Sequence, residues 1–278
     1  MVSMGHHFLE IPQLSYIVGF LQADGHHQAS TRNRGKITVE IQALDKPLLE
    51  DFQSAFTAYS RISERTRDTN FKDAYTSCCW ALYDRDTREA LLKFGVPVGA
   101  KSETIVPPTW DFSPRDYFRG LVDGDGSLGY TEQGLPFVSL TTKSESIALA
   151  YTNFLSKEIG YLKRAVRNKR DQIFNLLVTK EHAQRVAQVL YTDSTLRLER
   201  KHTAYLAIMQ WVRPEGMVRR GPKNWWTPEQ DKYVSSHTID DAMLYLRRSR
   251  RSVTMRRFRL LGGGPPKPRT ASKPTFNP

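Results

Sequence analysis

Apolar and polar positions along the chain follow a pattern that is used twice. Tyr16-Ile17-Val18-Gly19-Phe20-Leu21-Gln22-Ala23-Asp24-Gly25 is mostly apolar, with a glycine in its middle and an acid and a glycine at its end. Tyr117-Phe118-Arg119-Gly120-Leu121-Val122-Asp123-Gly124-Asp125-Gly126 repeats that design. Both stretches read as helices. A glycine inside a helix costs about 1 kcal/mol against alanine, so Gly19 and Gly120 mark places where another backbone comes close. The closing glycines predict a left-handed residue at each helix end. Strand patterns follow, over 26–31 and 127–131, with turns at Asn33-Arg34-Gly35 and Glu132-Gln133-Gly134. Residues 36–42 then alternate polar and apolar, as a sheet with one wet face does; 136–142 is their counterpart. Amphipathic helices are predicted over 46–59 and 144–158. Second hairpins are predicted over 61–66 with 74–83 and over 161–167 with 172–179. Further helices fit 85–94 and 180–191.

The order helix, hairpin, helix, hairpin, helix therefore occurs twice, which makes an internal repeat the main organising fact. Asp24 and Asp125 are 101 residues apart, and Lys101 and Lys201 are 100 apart. These lysines lie in Gly99-Ala100-Lys101-Ser102-Glu103 and Leu198-Glu199-Arg200-Lys201-His202, the similar ends of the two halves. We read an α+β chain of two pseudo-symmetric repeats, 1–112 and 113–212, joined by a proline-rich link from Pro107-Pro108 to Pro114. After Trp211 the composition shifts. Residues 213–223 read as a linker, 224–260 as a small helical module and 261–278 as a disordered basic tail. In the module, Thr227 caps a helix that Pro228 opens; a second helix runs from Thr238 or Ile239 to Leu246 and a third over 252–260.

Charge sharpens this division. The 278 residues carry a net charge of +12, and residues 213–278 supply +10 of it, with 15 Lys and Arg against 5 Asp and Glu. A basic segment on a nearly neutral body points to a polyanion-binding module. No apolar run reaches the roughly 20 residues that span a bilayer. Residues 1–10 lack the basic-then-apolar order of a signal peptide. The adjacent Cys78 and Cys79 lack zinc-ligand spacing, and we expect a reduced, intracellular protein without structural zinc.

The candidate chemistry lies at the ends of the motif helices. Asp24 and Asp125 sit at the negative end of a helix dipole, where a carboxylate needs positive compensation. Packing through Gly19 and Gly120 would bring the two carboxylates side by side, where they repel unless protonated or bridged by a cation. Carboxylates plus backbone carbonyls, here those of Ala23 and Gly124, form an oxygen-only set that suits Mg²⁺ rather than zinc. Two or three such ions, for which Mn²⁺ or Ca²⁺ can substitute in binding, suit phosphodiester hydrolysis. Lys101 and Lys201, one per half, are candidates to add positive charge at the phosphate.

These motifs resemble those of single-chain LAGLIDADG homing endonucleases. Set against that nine-letter name, the copies read I-V-G-F-L-Q-A-D-G and F-R-G-L-V-D-G-D-G. The resemblance covers about 12–212, including the order of elements. It implies tandem αββαββα units that form a saddle over double-stranded DNA, with Asp24 and Asp125 as the essential acids. The sixth letters, Gln22 and Asp123, vary in the family and are not assigned to catalysis; their difference suggests two sites of unequal rate. Major-groove reading is implied for Lys36, Thr38, Glu40 and Gln42, with Gln28, Ser30, Arg32, Arg34, Arg61, Arg65 and Arg67. The second half offers Tyr130, Glu132, Lys163, Arg164, Arg167, Lys169 and Gln172. The C-terminal module resembles a Myb/SANT-like helix-turn-helix, which implies DNA contacts from Arg250, Arg251, Arg256 and Arg257. The resemblance leads us to expect a monomeric, staggered-cutting endonuclease. Alternatives on the same fold are an intron maturase, whose partner would be intron RNA, and a DNA-binding regulator. His26 and His27 have no counterparts after Gly126, which argues against metal ligation.

Overall fold

The structure, a computed structural model, describes residues 2–4, 7–28, 34–68, 74–217 and 226–261. Ser30, Arg32 and the tail from residue 262 lie outside the described residues. The chain divides into a unit of residues Met1–Arg213 and a second of Pro214–Pro278.

The first unit opens with a short hairpin, β1 (Val2–Met4) and β2 (His7–Leu9). Helix α1 (Ile11–Ala23) then buries every residue from Leu14 to Gln22. A helix that is apolar all round must be covered on all sides. Here the second motif helix, α4 (Pro114–Asp125), packs along it. Both helices open on a proline in the first turn, where the missing N–H has no intrahelical role. Their crossing is as close as the glycines predicted. A Cβ on Gly19 would lie 2.2 Å from the Tyr117 carbonyl oxygen, and one on Gly120 would lie 2.3 Å from that of Tyr16.

Each motif helix leads into an antiparallel sheet. In the first half, β3 (Gly25–His27), β4 (Ile37–Gln42), β5 (Ser60–Arg67) and β6 (Tyr75–Leu82) pair in the order β3-β4-β6-β5. Helices α2 (Lys46–Ala55), after a 3₁₀ turn at Ala43–Asp45, and α3 (Arg85–Lys93) complete it. Ile37, Val39 and Ile41 face the core, as the alternation predicted. Phe52 and Trp80 meet Tyr16 and Phe20 of α1 in a chain of aromatic contacts. The second half has β7 (Gly126–Tyr130), β8 (Pro136–Thr142), α5 (Glu145–Ile159), β9 (Phe174–Thr179), α6 (Glu181–Tyr191) and α7 (Glu199–Met209), with sheet order β7-β8-β9.

The structure departs from the sequence reading in several places. Residues 161–167 form no strand; a single bridge joins Arg167 to Phe174. Side chains take acceptors that a ladder would use: Lys163 Nζ donates to the Leu177 carbonyl (2.6 Å) and Arg167 to that of Gln172 (3.1 Å). Helix α2 ends at Ala55 because Phe56 turns extended and buries itself. No left-handed residue closes either motif helix. Asp24 closes α1 in a right-handed conformation, and Gly126 is extended. These glycines answer to crowding instead: a Cβ would lie 2.6 Å from the Leu21 oxygen at Gly25 and 2.6 Å from the Val122 oxygen at Gly126. Helix α7 buries only Lys201 and Ile208 fully, so it has little apolar periodicity to detect.

The second unit contains α8 (Pro228–Ser236), α9 (Ile239–Leu246) and α10 (Arg250–Leu260). Thr227 and Gln230 form a reciprocal capping box, and Thr238 and Ser249 cap the next two helices. The third helix starts two residues before its predicted position because Ser249 provides the cap. Val234, Ala242 and Val253 are its buried core, ringed by Trp226, Tyr233, Ile239, Met243 and Leu246. No described helix is long and apolar enough to cross a membrane.

Candidate active site

The crossing of α1 and α4 brings their C-terminal ends together. A Cβ at Gly124 would lie 2.3 Å from Ala23 Cβ and 3.5 Å from the carboxyl carbon of Asp24. Asp24 and Asp125 are both exposed to solvent, although protein crowds their carboxyls. That crowding pushes the Asp24 carboxyl above its ordinary range. It pushes Asp125 up to about 6, with the charge of Asp24 as the second cause. Asp125 thus feels the charge of Asp24, as a like charge at close range does.

Beneath them lie the two lysines, each held by backbone carbonyls. Lys101 Nζ donates to Gln22 O (2.6 Å) and Ala23 O (2.8 Å). Lys201 Nζ donates to Val122 O (2.5 Å), Asp123 O (2.6 Å) and Gly126 O (2.9 Å). All but Gly126 O are carbonyls of the last helical turn, Val122 O also accepting the Gly126 N–H, and an ammonium there offsets the negative end of the dipole. The sequence reading assigned that compensation to a metal ion alone; the lysines share it. Lys101 also occupies one acceptor direction of the Ala23 carbonyl, a predicted metal ligand, whereas Lys201 bonds carbonyls on either side of Gly124. Burial lowers both ammonium pKa values to about 8, against the opposing pull of the nearby aspartates.

The donor set fits a hard divalent cation: two carboxylates raised in pKa by crowding, with main-chain oxygens beside them. Among the described residues, no group of three or more His, Cys, Asp or Glu side chains could hold a metal. His27 is turned inward, its Nδ1 3.2 Å from Val96 O. A cavity of about 160 Å³ beside Asp125 is lined by Gln22, Ala23, Ser102, Thr141 and Lys143 among others. A larger cavity of about 580 Å³ lies beside Arg115 near the start of α4. Its single acid, Glu158, gives it no carboxylate pair.

Three features near the site were missed from the sequence. Arg200 is half-exposed, ion-paired to the buried Asp45 (2.9 Å) and close enough to lower the pKa of Asp24. Tyr16 and Tyr117 open the motifs at the same offset as the aspartates, and each donates its hydroxyl across the helix interface. Matched tyrosines 101 residues apart were the available signal.

The sheets sort the remaining candidates by face. Cross-strand partners share a face. The register places Thr38, Glu40 and Gln42 of β4 with Arg61, Arg65 and Arg67 of β5 on the side away from the core. Arg67 and Ser77 both bond Glu40, at 3.2 Å and 2.6 Å. Lys36 is half-buried just before β4, and Gln28 and Arg34 are exposed outside the strands. In the second half Tyr130 falls on the core side, opposite Pro136, and its hydroxyl donates to Ala207 O of α7 (2.7 Å). This corrects its expected place on the open face. Glu132, Arg164, Lys169 and Gln172 are exposed in the connecting segments. The open face instead carries Ser127, Ser139, Thr141 and Asn175, which the sequence reading passed over. In the second unit, Arg256 pairs with Asp231, Arg257 donates to the carbonyls of Val234 and His237, and Arg250 pairs with Asp240. The first two were expected to face DNA and instead brace the module; Arg251 is exposed.

Comparison with known proteins bears on the fold. Residues 113–191 match the LAGLIDADG-like domain. Among solved structures, the homing endonuclease I-WcaI bound to its DNA recognition sequence is similar with a TM-score of 0.50 at 12% identity, covering 71% of this chain and 87% of that one. The N-terminal LAGLIDADG domain of DUF199/WhiA is similar with a TM-score of 0.43 at 14% identity, covering 71% and 91%. I-SmaMI bound to uncleaved DNA in the presence of calcium ions gives 0.36 at 12% identity, covering 92% and 99%. A search of curated proteins found no match. The chain therefore carries a LAGLIDADG-like α+β fold.

Proposed function

We propose that this chain is a sequence-specific, divalent-metal-dependent endonuclease of double-stranded DNA that cuts with a stagger and acts as a monomer. The observation that carries this reading is the pair of carboxylates, Asp24 and Asp125, meeting at the crossing of two motif helices with a buried lysine under each. The LAGLIDADG match over 113–191 and the fold shared with a DNA-bound homing endonuclease support it. Asp24 and Asp125 would hold Mg²⁺, with the Gly124 carbonyl and the free side of the Ala23 carbonyl as further oxygens. Bound cations would supply an activated water and offset charge at the scissile phosphate. Lys101 and Lys201 hold the helix ends, keep the carboxylates in register and set a positive potential beneath them. The open face of the first sheet, with Arg61, Arg65, Arg67 and Thr38, would read the major groove, as would Ser139, Thr141 and Asn175 in the second. The test is incubation with a randomised DNA pool and Mg²⁺, followed by sequencing of cut ends. Recovery of one preferred site supports the proposal; uncut DNA at every metal and salt condition rejects it.

Proton and metal should compete at the carboxylate pair. Asp125 titrates near 6 when folded, above its unfolded range. Protonation therefore stabilises the fold. That contribution is present below the unfolded pKa and is lost as pH rises through about 6. A divalent cation takes the proton's place only once the group is ionised. Melting temperatures with and without Mg²⁺ should coincide near about pH 5 and separate above about pH 6. An equal separation at both ends would remove Asp125 from the metal site.

The second unit is assigned to DNA affinity. Deleting residues 224–278 should weaken DNA binding and flatten its dependence on salt, because fewer phosphates are neutralised. Titrations at several salt concentrations check this, and an unchanged slope would count against it.

A further inference from the structure

We propose that Gln22 and Asp123, the sixth residues of the two motifs, are positioning residues: each ties a tyrosine of the opposite motif helix to the segment that bears the lysine of its own half. Both are buried, at 1% and 0% exposure, and their side-chain polar atoms are bonded within the protein. In the first half, Tyr117 Oη donates to Gln22 Oε1 (2.5 Å). Gln22 Nε2 in turn donates to Gly95 O (2.7 Å) and Val106 O (3.1 Å), which bracket the segment containing Lys101. In the second half, Tyr16 Oη donates to Asp123 Oδ2 (2.7 Å). Asp123 also accepts from Tyr191 Oη (2.6 Å) and from the backbone N–H of Leu198 (3.0 Å), the residue that caps α7 three positions before Lys201.

The two halves use different side chains because their lysine segments present opposite polarity. The first segment offers carbonyls, so it needs the donor of an amide. The second offers an N–H, and Tyr191 adds a hydroxyl, so it needs an acceptor on both oxygens. A buried polar group left without a partner is costly, which forces the match. The Gln22 and Asp123 difference therefore follows from the local chain direction and need not signal sites of unequal rate. The crossed tyrosines add a link between halves, since Tyr16 of α1 braces the Lys201 side and Tyr117 of α4 braces the Lys101 side.

The placement of the lysines can be tested without the nuclease reading; its kinetic consequence rests on that reading. Gln22→Glu and Asp123→Asn keep shape and reverse polarity. On the folded full chain, acylation of each lysine is followed by mass spectrometry. Gln22→Glu should raise the rate at Lys101 about tenfold with Lys201 unchanged, and Asp123→Asn should do the reverse, the scale of one lost buried hydrogen bond. Tyr117→Phe and Tyr16→Phe remove only a hydroxyl and should give the same crossed pattern at about threefold, which keeps the test usable where a polarity swap does not fold. Both lysines becoming reactive together, or neither, would overturn the proposal. With a cleaved DNA site in hand, the polarity swaps should lower kcat while KM holds; a rise in KM alone would also overturn it. Absence of cleavage by the unaltered protein would reject the nuclease and leave the labelling result standing.

Discussion

Changing Asp24 or Asp125 to asparagine is expected to lower double-strand cleavage by roughly three orders of magnitude or more, about 4 kcal/mol in the barrier. Asparagine keeps the shape and one oxygen but removes the charge that holds a divalent cation. The lysines bond backbone carbonyls of the motif helices rather than the aspartate side chains, so their hydrogen bonds survive the change. The same substitutions should leave the ion-free protein as stable as before, or more so. Burial raises both carboxyls, and the Asp24 charge is a further cause of the shift at Asp125. Removing the Asp24 charge relieves Asp125, and replacing Asp125 removes a carboxyl that is itself crowded. Activity lost together with an unchanged or higher Tm without cations, and with no further rise on adding Mg²⁺, is the pattern of a functional site held at a cost to the fold. Cleavage within tenfold of the parent in either variant would mean that the chemistry lies elsewhere.

Much of this site was legible in the sequence because its parts are local and repeated. Gly19, Asp24 and their partners 101 residues on lie within ten-residue motifs, and the crossing of the helices follows from the glycines. Strict alternation over 36–42 sets which residues face the core. Other features depend on what packs from a distance. The Tyr16–Asp123 and Tyr117–Gln22 bonds join residues on different helices, so no local pattern announces them. The same holds for Tyr130, whose polar ring looks wet in sequence but whose hydroxyl is claimed by α7. Residues 161–167 read as the first strand of a hairpin, but Leu162 and Val166 are 85% and 67% exposed. With those side chains uncovered by a second layer, the segment forms no ladder. Arg256 and Arg257 were read as free cations because charge is visible in a sequence, while Asp231 and the carbonyls that hold them are not.

Gly19→Ala and Gly120→Ala should each destabilise the protein by about 3 kcal/mol or more, as overpacking of a tight core does at its upper end. For a chain of this size that corresponds to a fall in Tm of roughly 6 to 12 °C. Helix propensity argues the other way, since alanine is favoured over glycine by about 1 kcal/mol inside a helix. Sterics win here because of what the methyl would strike. At Gly19 it meets the Tyr117 carbonyl oxygen at 2.2 Å, its carbon at 3.1 Å and Leu121 N at 3.3 Å; at Gly120 it meets Tyr16 O at 2.3 Å and Phe20 N at 2.8 Å. Every one of these atoms is backbone, so no rotamer change makes room and the helices must part. Parting them stretches Tyr16–Asp123 and Tyr117–Gln22, at 2.7 Å and 2.5 Å, in a region where water cannot replace the bonds. It also separates Asp24 from Asp125, so Mg²⁺ should raise the Tm of these variants less than that of the parent. Calorimetry with and without Mg²⁺ reads both effects. An alanine variant that melts within about 2 °C of the parent, less than 1 kcal/mol at this size, would show that the helices have slack at the crossing, and the close approach would no longer explain why the aspartates meet.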